Sequence, residues 1–159
     1  MAATFQSAAF AAGNILTVTL SNGNLMNLCI TPYLGRAELS MLRDISVQKS
    51  MKVQDGCLCW AEGAQLSASA LLSLLGEEKN LGCTIACASA GDDWRLDLWF
   101  QNGDSLSVAM EPLLEYSVFA PLVQRSLWKT LRAKEKSLLW EDESIRVELP
   151  IETIFRYFA

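Results

Sequence analysis

The chain has 159 residues, 51% of them hydrophobic and 19% charged, which is ample for a packed core and argues against disorder. Its net charge of −5 disfavours passive binding to nucleic acid or anionic lipid, and the absence of histidine removes the commonest general base and transition-metal ligand. No apolar run approaches the roughly 18–20 residues that cross a bilayer. Residues 1–12 are Ala-rich but lack a basic start and a continuous apolar stretch, so they are not read as a signal peptide.

In chain order, residues 4–10 are a candidate strand, and 15–20 (ILTVTL) alternate β-branched and aliphatic residues as a second. Asn22-Gly23 is a hairpin signal, because both residues tolerate positive φ. Residues 25–30 return as a third strand, and Pro32 stops the ladder for want of an N–H. Residues 38–42 form a short helical turn. Residues 50–54 and 57–60 flank Asp55-Gly56, a second hairpin signal. Residues 67–75 (SASALLSLL) read as a helix with Ser67 as N-cap and Gly76 just past its end.

The same order then repeats. Residues 83–88, 95–100 and 105–110 are three strands, with Asn102-Gly103 in the hairpin and Pro112 at the break. Residues 119–125 are a helical segment, 128–132 and 137–140 a second hairpin, 145–149 an extension of the last strand, and 150–158 a closing helix with Pro150 in its first turn. Asn22, Pro32, Leu42 and Trp60 return as Asn102, Pro112, Leu122 and Trp140 at one constant offset (102 − 22 = 140 − 60 = 80). A fixed offset over anchors of different chemistry signals duplication of a unit of roughly 75–80 residues. The expected fold is α+β: two tandem copies of a small β-β-β-α-β-β-α unit with antiparallel strands, packed as a pseudo-twofold pair. Residues 1–76 make the first copy, 77–82 a short linker and 83–159 the second.

Charge is uneven. Residues 1–80 carry five Lys/Arg and six Asp/Glu (5 − 6 = −1), and residues 81–159 carry eight and twelve (8 − 12 = −4). The acidic run Glu141-Asp142-Glu143, with Glu148 and Glu152 beyond, suits either a solvated turn or a surface that imitates nucleic-acid phosphates. It lacks the alternating Asp loop of a calcium site. Arg132, Lys134 and Lys136 alternate onto one face if they lie in a strand, where basic side chains protect an edge.

Five cysteines, Cys29, Cys57, Cys59, Cys83 and Cys87, fit a reducing compartment, and their odd number prevents complete pairing within the chain. Cys57-x-Cys59 does not meet the spacing of a zinc knuckle, so these thiols are read as small buried hydrophobes and no metal or cofactor is assigned. Trp94, Trp99, Trp128, Trp140, Phe155, Tyr157 and Phe158 crowd the second half; most aromatics pack a core, but an excess also suits a partner surface. No dinucleotide, P-loop, nucleophile-elbow or zinc-protease motif is present.

Residues 94–158 resemble the bacterial domain-of-unknown-function family 2442 in an alternating strand (95–100), the Asn102-Gly103 turn, a Pro/Leu segment (110–114), a middle Leu segment (119–122), a strand ending in Trp140 before Glu141-Asp142, and a closing helix. The first half matches more weakly through Asn22-Gly23, Pro32, Leu42, Trp60 with Glu62-Gly63, and residues 67–75. Ala61 and Glu141 stand where the family carries proline after the tryptophan, and two copies stand where it has one. The resemblance implies a small α+β domain of bacterial or phage origin with an antitoxin-like or regulatory role, and carries no catalytic residues. The expectation is a non-enzymatic, cytoplasmic module that binds another protein, with Trp128, Trp140, Glu141, Asp142, Glu143 and Glu148 as its contact residues and no direct binding of nucleic acid or membrane. The alternative is an acidic inhibitor of a nucleic-acid-binding machine.

Overall fold

A computed structural model describes residues 3–61, 63–75 and 84–158. The fold is mixed α and β, with antiparallel sheets and few, short helices. The chain divides into two compact units, Met1–Leu74 and Leu75–Phe158. The expected linker 77–82, together with Gly76, Cys83 and Glu62, lies outside the described residues.

In the first unit, β1 (Phe5–Ala11), β2 (Ile15–Leu20) and β3 (Leu25–Cys29) form an antiparallel meander. Alternation turns Leu16, Val18, Leu20, Met26 and Leu28 into the core, each at most 2% exposed, and leaves Thr17, Thr19 and Asn27 outward. The Asn22-Gly23 turn works differently from the expectation. Only Gly23 takes positive φ (+86°); Asn22 contributes its side chain, whose Oδ1 accepts the Asn24 N–H at 3.1 Å. The Asp55-Gly56 turn does use two positive φ values, +52° and +76°, between β4 (Lys52–Gln54) and β5 (Cys57–Cys59). A third strand, β6 (Gln65–Leu66), completes this small sheet and was not expected.

Between the sheets lie 3-10 turns at Thr31–Tyr33 and Ser40–Arg43, then helix α1 (Ile45–Lys49). Pro32 therefore starts a helical turn as well as stopping a strand. The Asp44 carboxylate caps α1, accepting the Ser46 N–H at 2.9 Å and its hydroxyl at 2.7 Å. Helix α2 (Ala68–Leu75) closes the unit, and Ser67 Oγ accepts the Ala70 N–H at 3.1 Å as its cap.

The second unit contains the meander β7 (Ile85–Ala90), β8 (Arg95–Phe100) and β9 (Ser105–Ala109). Then come 3-10 turns at Glu111–Glu115 and Ala120–Val123, and helix α3 (Arg125–Trp128). Trp128 thus ends a helix rather than starting a strand. The second sheet is β10 (Arg132–Ala133), β11 (Ser137–Glu141) and β12 (Arg146–Pro150), a three-stranded sheet in place of the expected hairpin. Helix α4 (Ile151–Phe158) closes the unit, with Ile151, Ile154 and Phe158 buried. Each unit accordingly runs β-β-β-α-β-β-β-α, one strand more than expected.

Candidate functional site

The residues expected at a partner surface part company in the structure. Trp128 and Trp140 are 1% and 0% exposed, so their rings belong to the core of the second unit. They stack at 5.8 Å with planes 14° apart, and the Trp140 indole N–H donates to Trp128 O at 3.1 Å. The expectation of a surface hot spot built on these rings gives way to core packing.

The carboxylates turn outward but are largely engaged nearby. Glu141 meets Arg132 at 3.0 Å. Asp142 caps its own turn, accepting the Ser144 and Ile145 N–H groups at 2.8 Å each, and these bonds hold its carboxyl below its ordinary range. Glu143 is exposed. Only Arg132 of the three basic residues lies in a strand, so the expected basic strand face does not form. The cysteines differ from expectation too: Cys29, Cys57 and Cys59 are half-buried and Cys87 is exposed. Leu58, between two of them, takes the core position. Among the described residues no three metal-ligating side chains converge.

Glu148, another expected contact residue, lines a cavity. In β12, alternation buries Val147 and Leu149 and turns Glu148 and Pro150 to the other face. One turn of α4 sets Thr153 and Tyr157 four residues apart on one side of that helix, half-buried beside its buried stripe. The 116–119 segment, between two 3-10 turns, supplies the other wall and is tied by the Phe119 and Ala120 N–H groups to Tyr116 O at 3.0 and 2.9 Å. Together they enclose a groove of about 300 Å³. The Tyr116 and Tyr157 rings meet at 5.3 Å, while Tyr116 and Val118 remain 49% and 65% exposed. Large apolar side chains that open onto one concave site are the unusual feature, since scattered exposure is ordinary.

The carboxylate in this groove is fixed and ionised. The Ser137 hydroxyl donates to Glu148 Oε1 at 2.9 Å, Lys134 Nζ sits at 3.3 Å, and Arg146 at 3.6 Å from the other oxygen. The Ser137 bond first, then Lys134 and Arg146, hold Glu148 below its ordinary range. A carboxylate kept charged accepts hydrogen bonds and attracts cations; it is badly suited to give up a proton as a general acid. The constituents of the groove lie about 30 to 40 residues apart in sequence, and only Tyr157 among its aromatic walls belonged to a visible aromatic excess.

No protein-family model, no curated protein and no solved structure matches this chain. Among the described residues no helix is long and apolar enough to cross a membrane.

Proposed function

We propose that the chain is a duplicated, non-enzymatic α+β scaffold that binds a protein partner through the groove of its second unit. The observation that carries this reading is the exposure of Tyr116 and Val118 on a groove of about 300 Å³ with an anchored carboxylate at its edge. The complementary partner is a segment with an apolar or aromatic anchor that packs against Tyr116 and Val118. Anchors that fill concave aromatic sites dominate interface energies.

Duplication is supported by local detail as well as by the constant offset. Gly23 and Gly103 both take positive φ, at +86° and +92°. Ile30 N donates to Asn14 O at 3.0 Å, and Met110 N to Trp94 O at 2.9 Å, 80 residues later in both partners. The resemblance to family 2442 supports a regulatory, antitoxin-like role in a bacterium or phage, in the cytoplasm. Phosphate mimicry is less well supported, because Glu141, Asp142 and Glu148 are each committed to local partners.

The test is capture of binding proteins by the tagged full chain, at low and high salt, beside Val118→Asp. The expected result is one stoichiometric protein that survives high salt and is lost with Val118→Asp, whose thermal stability stays at the wild-type value. Retention of a basic nucleic-acid enzyme at low salt only, by both forms, would favour the mimic. Retention of nothing would overturn the binding reading.

A further inference from the structure

A second cavity lies in the first unit, where the turn after β1 faces helix α1. It measures about 230 Å³, and Phe10, Ala11, Asn14, Ile45, Gln48 and Lys49 line it. Its content becomes legible from the corresponding place in the second unit, 80 positions on. There the positions of Asn14 and Gln48 hold Trp94 and Trp128, and that of Ile45 holds Arg125.

The backbones correspond. Asn14 has φ +62° and Trp94 +60°, and each carbonyl accepts the N–H of the residue that follows the third strand of its meander, Ile30 and Met110. The side chains do not. In the second unit the Trp94 ring meets Trp128 edge-on at 5.3 Å, and the Arg125 guanidinium lies 5.5 Å over it. The Trp128 indole N–H donates to Gly91 O at 2.7 Å. That arrangement packs indoles between the turn and the helix and caps them with a cation.

In the first unit two carboxamides stand in place of the two indoles. Gln48, 7% exposed, donates to Asn14 Oδ1 at 2.8 Å and to Leu42 O at 2.6 Å. Its amide plane is thereby fixed from both sides, as a flat polar wall. Phe10 and Ile45 supply apolar walls and Lys49 a cation, and Ala11, 80 residues before Gly91, also lines the cavity. An apolar cavity of about 150 Å³ already accepts benzene. The cavity here has room for a fused two-ring system.

We infer that this cavity binds one planar aromatic heterocycle of indole size with a ring N–H, supplied from outside where the second unit uses its own Trp94. The ring lies on the Gln48 amide beneath Lys49, with its N–H directed at Ala11 O. The inference is independent of the partner groove, and either can fail without the other.

The test titrates indole into the 15N-labelled full chain. Saturable shifts of the Asn14 and Gln48 side-chain amides and of residues 11–13 are expected. Asn14→Trp, which places an indole inside the cavity as Trp94 does, should abolish them. Ile45→Arg, a change at a side chain 63% exposed, supplies the counterpart of Arg125 and should tighten indole binding about two- to five-fold. N-acetyltryptophanamide separates the sources: its exclusion assigns the site to a free heterocycle, and its binding with the same shifts assigns the ring to a tryptophan side chain. The proposal is overturned by no saturable shift at millimolar indole, or by shifts that survive Asn14→Trp. An affinity that Ile45→Arg leaves unchanged would also overturn the assigned pose.

Discussion

Trp60 and Trp140 lie 80 residues apart, are 4% and 0% exposed, and differ in the partners of their indole rings, which a matched pair of substitutions can measure. The Trp140 N–H donates to Trp128 O, whereas the Trp60 Nε1 is buried with no partner. Trp→Phe at either site forfeits part of a ring and leaves a void, for which we take about 1–2 kcal/mol. At Trp140 the change also removes a hydrogen bond, about 0.5–1.5 kcal/mol, and weakens the stack on Trp128 by up to about 1 kcal/mol. At Trp60 it removes an unsatisfied donor, which returns about 1–3 kcal/mol of desolvation cost. Trp140→Phe should thus destabilise its unit by about 1.5–4.5 kcal/mol, while Trp60→Phe should fall between a loss of about 1 kcal/mol and a gain of about 2 kcal/mol. Urea denaturation read separately from NMR signals of each unit measures both, so each unit serves as control for the other. Equal losses at the two sites would refute the argument, because Trp140 alone gives up a hydrogen bond and a stack and Trp60 alone sheds an unsatisfied donor.

Gly56→Ala should destabilise the first unit by about 2–4 kcal/mol, since it adds a left-handed backbone cost to an overpacked contact: φ there is +76° and a Cβ would stand 2.7 Å from Thr4 Cβ. Gly103→Ala meets open space at φ +92° and should cost only the backbone share, about 1–2 kcal/mol; thermal melts of the two variants decide it. Asp44, Asp142 and Glu148 are all held below their ordinary values of 3.8, 3.8 and 4.5, so the folded state favours their charged forms. Their contribution is present above those values and is lost as pH falls through them towards the lower folded values. The melting temperature should therefore drop between about pH 5 and about pH 3, and the combined Asp44→Asn, Asp142→Asn, Glu148→Gln variant should show a shallower drop across the same interval. An identical slope in wild type and variant would refute the linkage.

What the sequence displays depends on how local the cause is. The meander strands were legible because Ile15–Leu20 and Arg95–Phe100 alternate over six residues, and a period of two needs no partner to be seen. Ser67 announced its helix for a similar reason, since a cap acts within three residues. Helices α1 and α3 were invisible: five and four residues cannot display a 3.6-residue period, and Trp128 carries strand propensity while standing in a helix. β6 is two residues long and exists through its pairing with β5.

The candidate sites fail to show for a deeper version of that reason. Burial separates Trp128 from Tyr116, and no local rule distinguishes a tryptophan that stacks inside from a tyrosine that lines a groove. Glu148 gains its fixed charge from Ser137, Lys134 and Arg146, of which two belong to other strands or turns. The cavity beside Gln48 is hidden more completely, because it is defined by what the position lacks. Asn14 at φ +62° is a residue suited to a left-handed turn, and alone it asks for no explanation. Trp94 at φ +60° does ask for one: a bulky side chain accepts an unfavourable backbone there, and the contacts with Trp128 and Arg125 are what it receives in return. If the turn-to-helix crevice repays that strain in one unit, the same crevice with its ring missing retains the capacity to hold one. The Asn14–Gln48 pair, ordinary when seen alone, thereby marks a testable ligand site.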